Sequence, residues 1–134
     1  MLYEDLTGKA LEACFEVMKE LGAGFLESVY EKALLIALQQ KGVTAKAQFP
    51  LTVKFRGQVV GEFYADVLLE DKVIIELKAV AALKPEHHAQ VINYLNATGI
   101  DVGLLVNFGN PKLEYRRFHR KTPVPGETLK NLIS

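Results

Sequence analysis

At 134 residues, 49% of them hydrophobic and 24% charged, the chain has the size and core content of one soluble globular domain, expected to span 1–134, and two domains would be a strain. Sixteen Lys and Arg balance sixteen Asp and Glu, so no whole-molecule field argues for nucleic acid or an anionic membrane, and such a partner has to be met locally. The one cysteine, Cys14, excludes an internal disulfide, and without a CxxC or a Cys/His cluster neither thiol redox work nor structural zinc is supported.

The N-terminus carries Glu4, Asp5 and Glu12 where a signal peptide needs a basic end and an apolar stretch. The longest strongly apolar run, Ala33 to Leu38, is far short of the ~20 residues that span a bilayer. The expectation is a cytoplasmic protein with nothing removed and no membrane partner. Thr7 is placed to cap a first helix with Ala10, Cys14, Met18 and Leu21 on one face, Leu11 and Val17 beside them, and Gly22-Ala23-Gly24 closing it. A second helix starts near Phe25 or Leu26 and runs through Glu27, Tyr30, Ala33, Leu34 and Leu38 to Gly42.

From Val43 the period changes to two. Val43, Ala45, Ala47, Phe49, Leu51, Val53 and Phe55 alternate with mostly polar residues, and Pro50 signals an edge strand or a bulge. After a turn at Arg56-Gly57-Gln58, the next strand sets Val59, Gly61, Phe63, Ala65, Val67 and Leu69 on one face and Val60, Glu62, Tyr64, Asp66 and Leu68 on the other. Glu70-Asp71-Lys72 turns the chain into Val73 to Lys78, a β-branched run that suits an interior strand of an antiparallel meander. Lys84-Pro85-Glu86 opens a third helix with Val91, Ile92 and Leu95 as its apolar stripe and Gly99 at its end. Val102 to Phe108 reads as a buried strand, and Leu113 to Phe118 as an edge strand, before an irregular tail from about 119. The fold class is α/β (α+β), a mixed sheet flanked by helices in the order α-α-β-β-β-α-β-β.

Charge is uneven along this order. Residues 61–110 hold three basic and seven acidic residues, and residues 111–134 hold six and two. An acidic centre beside a basic end suits a cation site next to a phosphate surface; a solvated tail is the plain alternative.

The sharpest anomaly is charge inside strands that otherwise read as core: Asp66 in the second, Glu76 and Lys78 in the third. Alternation puts Glu76 and Lys78 on one face, and the meander brings Asp66 alongside from the neighbouring strand. Two carboxylates with a lysine form a hard-oxygen site for Mg²⁺ or Mn²⁺, which binds phosphate oxygens. A cross-strand salt bridge on an exposed face is the competing reading.

Asp66, followed after nine intervening residues by Glu76-Leu77-Lys78, resembles the D…(D/E)xK signature of the PD-(D/E)XK nuclease superfamily. Upstream, Gly24-Phe25-Leu26-Glu27-Ser28-Val29-Tyr30 matches the GxxExxY motif of a family of small proteins that resembles that superfamily. The similarity runs from about Leu6 to Phe118. It implies a restriction-endonuclease-like core and a nuclease that uses Mg²⁺ or Mn²⁺ to hydrolyse phosphodiester bonds of DNA or RNA. In that reading Asp66 and Glu76 hold the metal, Glu27 on the preceding helix completes its binding, and Lys78 is the catalytic lysine. Gln90 and Tyr94 resemble the Q-x-x-x-Y feature that follows the core motif. Ala65 stands where the superfamily name has proline.

Plain competitors exist for each: a solvated first-turn Glu27, a helix break at Gly24, a core Tyr30, an exposed Gln90 and a half-buried Tyr94. His87 and His88 are adjacent and point about 100° apart on a helix, which is poor geometry for one ion. Arg116, Arg117, Arg120 and Lys121, interleaved with Tyr115 and Phe118, form the dense basic stretch and the candidate nucleic-acid contact. With so balanced a charge, a nuclease needs a homodimer or a partner to enlarge its positive surface. The alternative function is a non-catalytic module that binds nucleic acid or protein on the same scaffold.

Overall fold

The computed structural model describes residues 2–120. Its elements are α1 (Glu4–Leu21), α2 (Glu27–Gln40), β1 (Ala45–Phe55), β2 (Gln58–Leu69), β3 (Val73–Lys78), α3 (Pro85–Thr98), β4 (Val102–Asn107) and β5 (Glu114–His119). This is the order expected from the changes of period. Most of the tail, including Lys121, lies outside the described residues.

The strands form one mixed sheet in the order β1-β2-β3-β4-β5. β1, β2 and β3 make the antiparallel meander, β3 and β4 run parallel, and β5 returns antiparallel to β4. Both meander turns have a local cause. Arg56 and Gly57 lie at φ 51° and 80°, and Glu70 and Asp71 at 51° and 59°, two-residue left-handed pairs whose twist suits antiparallel neighbours. A parallel pair needs a long crossover, and α3 supplies it between β3 and β4.

Thr7 does not cap α1. The helix starts at Glu4 after Tyr3, with Glu4 and Asp5 in its first turn, where carboxylates oppose the exposed N–H groups. The Thr7 hydroxyl instead donates back to the carbonyls of Tyr3 and Glu4 at 3.1 Å. At the other end Gly22, at φ 71°, donates its N–H to Met18 O.

The sheet is covered on both faces. One cluster joins the stripes of α1 and α2, including Cys14, Tyr30 and Leu34, to Val67, Ile75 and Leu104. The other joins Val91, Tyr94 and Leu95 of α3 to Leu68, Ile74 and Leu105. Ile92, expected in the α3 stripe, is only half-buried, and Tyr94 takes its place. A Cβ on Gly103 of β4 would come within 2.7 Å of Val91 Cγ1, so α3 sits on this strand as closely as a glycine permits.

β2 pairs with β3 only at Val67, Leu68 and Leu69, whereas its pairing with β1 continues to the hairpin tip. The hairpin therefore runs past β3 as a two-stranded ribbon. Alternation assigns Ala65 and Val67 to one face, yet Val67 packs under α1 and α2 while Ala65 and Leu51 pack under α3. The ribbon twists across the sheet at Asp66, and that twist opens the space in which the charged residues meet.

Candidate active site

The loop between α1 and α2 is held by the GxxExxY residues. Gly24 sits at φ 112°, a conformation that L side chains rarely adopt. The Tyr30 hydroxyl donates to Gly22 O at 2.6 Å and accepts from the Phe25 N–H at 3.2 Å. Its fully buried ring stacks on Phe108 at 4.6 Å. Glycine and tyrosine thus fix the entry into α2, and Glu27 is the first residue of that helix.

Asp66 is paired in register with neither neighbouring strand: the β1 ladder skips from Ala47/Val67 to Phe49/Ala65, and the β3 ladder stops at Val67/Ile75. Carboxylates take the place of the missing rungs. The Asp66 N–H donates to Glu76 Oε1 at 3.0 Å, and the Leu77 N–H donates to Asp66 Oδ2 at 2.8 Å. The two acids are interlocked, each accepting a backbone hydrogen bond across the gap.

Glu76 is only 2% exposed, and its carboxyl is pushed up to about 8 by burial first, then by the negative charge of Asp66. The Asp66 N–H and the charge of Lys78 pull the other way. A hydrogen bond to the Asp66 side chain favours the protonated form. Burial of Glu76 beside the negative charge of Asp66 makes this a place where a positive counter-charge would be stabilising.

Asp66 also lines a cleft of about 140 Å³ with Glu27, Ser28, Glu31, Gln48 and Leu77. A water needs roughly 10–15 Å³, so a hydrated cation fits. No three His, Cys, Asp or Glu side chains among the described residues converge as a ready-made ligand set. Glu27, expected as a third ligand, is exposed at the cleft mouth on α2 and acts across it. Its carboxyl is raised by desolvation, with Lys78 opposing and Asp66 adding. Mg²⁺ is commonly held by one or two carboxylates and keeps waters that exchange for phosphate oxygens; Asp66 lines the cleft, whereas Glu76, which accepts the Asp66 N–H, does not.

Lys78, one strand period beyond Glu76, is half-buried, and its charge is felt by both Glu76 and Glu27. The chain after it is pinned. Asn107, fully buried, accepts the Val80 N–H at 3.0 Å and donates to Val80 O at 2.9 Å. The Phe108 N–H donates to Lys78 O at 2.8 Å.

On α3, Gln90 Nε2 donates to the Tyr94 hydroxyl at 3.1 Å, so these two share one face as their spacing requires. Glu76 and Asp66 both raise the Tyr94 phenol, after desolvation, which places it within the field of the acids. His87 is occupied, its Nδ1 accepting the Lys84 N–H at 3.0 Å, and His88 packs on Phe118. The basic stretch is partly committed to the fold. Arg117 donates to Thr7 Oγ1 and Leu2 O, and Arg120 to Asp101. Arg116 is exposed and lies across β4 from Glu76, with Leu105 between them in register, or about 10 Å at the usual strand spacing.

The sequence does not reveal Gln48. At φ 52° it leaves the β1 ladder, and its amide reaches Glu31 Oε1 at 2.6 Å and Asp66 Oδ1 at 3.4 Å. Pro50 signals an edge strand or a bulge, and β1 is an edge strand whose register shifts between Val53 and Lys54; a left-handed glutamine at position 48 has no compositional signal.

Comparison with known proteins gives a family. The model of the PD-(D/E)XK nuclease superfamily matches residues 4–118. Among solved structures, the chain is similar to SSO0001 with a TM-score of 0.53 and 17% identity over 79% of this chain and 55% of that one. It is also similar to an alkaline exonuclease, LHK-Exo, from Laribacter hongkongensis, with a TM-score of 0.50 and 15% identity over 74% of this chain and 56% of that one. The chain spans little more than half the length of these structures, and at such identities the likeness is one of fold. No curated protein matches.

Proposed function

Because the chain belongs to the PD-(D/E)XK nuclease superfamily, we propose that it is a divalent-metal-dependent nuclease whose Asp66 and Glu76 hold Mg²⁺ or Mn²⁺. Gly24, Glu27 and Tyr30 suggest the GxxExxY group within that superfamily. The observation that carries the reading is the interlocked pair of acids, one of them buried in a strand of Val, Ile and Leu with its carboxyl pushed up by that burial and by the charge of Asp66.

A divalent cation at this pair supplies neutralisation of a phosphoryl oxygen and activation of water. The chain's own residues do the rest. Asp66 and Glu76 would hold the cation and, through it, set where the scissile phosphate lies. Lys78, held by the Val80–Asn107 clamp, orients the attacking water and balances the negative charge that develops on the phosphoryl oxygens. As the new P–O bond forms, the bond to the leaving oxygen breaks and that oxygen takes up a proton. Glu27 adds negative potential at the cleft mouth. Gln90 and Tyr94 position the strand beside the phosphate, and Arg116 meets a flanking phosphate. DNA and RNA share this chemistry. No helix among the described residues is long and apolar enough to cross a membrane, and we place the reaction in the cytoplasm.

A binding module without turnover is the second reading, favoured by the absence of a third converging carboxylate among the described residues. The test is cleavage of labelled single- and double-stranded oligonucleotides with Mg²⁺ or Mn²⁺. Glu76→Ala and Lys78→Ala are each expected to lower the rate by about 10²–10³, the usual cost of removing one group that stabilises developing charge. Cleavage at the parental rate in both variants would refute the assignment; binding with no cleavage under either cation selects the module.

A further inference from the structure

The largest concavity described, about 1050 Å³, is a groove between α3 and the β1–β2 ribbon, and the reaction assigned above uses only Gln90 and Tyr94 of its lining. Its walls carry Lys54, Phe63, Gln90, Asn93, Tyr94 and Asn96. We infer that this groove takes the bases of an unpaired nucleotide strand, so that the substrate is single-stranded nucleic acid or the frayed end of a duplex. The inference rests on the nuclease reading for the position of the phosphate, and specifies what lies beside it.

Continuity comes first. Gln90 and Tyr94 line the groove and are bonded to each other, and Tyr94 packs in one cluster with Ala65, the neighbour of Asp66, and Ile74. A strand with one phosphate at the acids has its neighbouring nucleotides at the mouth of the groove. Chemistry comes second. The exposed ring of Phe63, backed by the buried ring of Tyr94 at 5.9 Å, offers flat apolar surface for stacking, which every base can use. Three carboxamides, Gln90, Asn93 and Asn96, each provide both a donor and an acceptor, as base edges do.

Charge excludes the main competitor. Besides Lys54 the groove has Glu86, so the charges described along it cancel. A duplex presents phosphates outward and is gripped by many cations, which this groove does not have. Bases are neutral, planar and rich in hydrogen-bonding edges, and an unpaired strand can turn them inward. Phe63 is 44% exposed, so the ribbon presents a ring to the groove without the burial that a finished core would give it.

The test uses the full chain in EDTA, where cleavage is silent, with three fluorescein-labelled probes: a single strand, its blunt duplex and an abasic strand of equal length. Anisotropy is expected to rank the single strand tightest, with the abasic strand about tenfold weaker, the scale of one lost stacking contact. Phe63→Ala is expected to lower single-strand affinity about tenfold and leave the abasic affinity unchanged. The Asn93→Ala, Asn96→Ala double variant, at two exposed positions, gives a second reading independent of the ring, and is expected to weaken the single strand several-fold. Equal affinity for abasic and normal strands, tighter binding of the blunt duplex, or both variants binding as the parent overturns the groove assignment. Failure of the nuclease reading looks different: base-dependent binding persists with no cleavage under Mg²⁺ or Mn²⁺.

Discussion

Glu76 is 2% exposed in a strand of Val, Ile and Leu, and burial with Asp66 beside it raises its carboxyl to about 8. In an unfolded chain the same group titrates near 4.3. Between these values the folded state binds a proton that the unfolded state has lost, so its contribution to stability is full below about pH 4.3 and fades as the pH rises through 8. The metal-free protein is therefore expected to have a higher Tm near pH 5 than near pH 8. Mg²⁺ is expected to restore part of the difference, because it supplies the missing counter-charge. Calorimetry in EDTA against pH checks this, with Glu76→Gln as the control whose slope should flatten. A slope equal in the variant would place the titration elsewhere.

At the scale of elements, the α1–α2 connection shows how one side chain fixes the angle at which a helix presents its first residue. Tyr30→Phe keeps the ring on Phe108 but removes the hydroxyl that bonds Gly22 O and the Phe25 N–H. The expected cost is about 1–2 kcal/mol in urea unfolding, together with a several-fold loss of cleavage as Glu27 drifts from the cleft; unchanged stability would mean that water replaces both bonds. The elements themselves are legible. The change from a helical period to a period of two at Val43, the paired turn residues at Arg56-Gly57 and Glu70-Asp71, and Pro85 with Gly99 around α3 each have a local cause. The approach of Asp66 to Glu76 is also legible, because it follows from the direction of a tight hairpin. Thr7 is not, since first-turn carboxylates compete with a hydroxyl for the same role and Glu4 and Asp5 lie closer to the start. Phe63 is not either. Alternation gives it the face of Val67, but alternation counts residues and says nothing about twist, and it is the twist at Asp66 that carries the outer ribbon over to α3.

Over the whole molecule, a net charge of zero must be reconciled with the polyanionic substrate proposed. Arg117 and Arg120 are spent on contacts with Thr7, Leu2 and Asp101, and the acids of the site repel phosphate until a cation is bound. Binding dominated by counterion release requires many phosphate contacts, each steepening the dependence of affinity on salt. Among the described residues, Lys78, Arg116 and Lys54 are the cations assigned to the proposed path, so about three phosphates would be neutralised and the logarithmic slope against salt for a single strand is expected near −2. Stacking in a neutral groove is insensitive to salt and supplies the remainder. Anisotropy titrations between about 50 and 200 mM KCl measure the slope directly. A slope steeper than about −4 would require a wide cationic surface, which a second copy of the chain or a partner would have to provide.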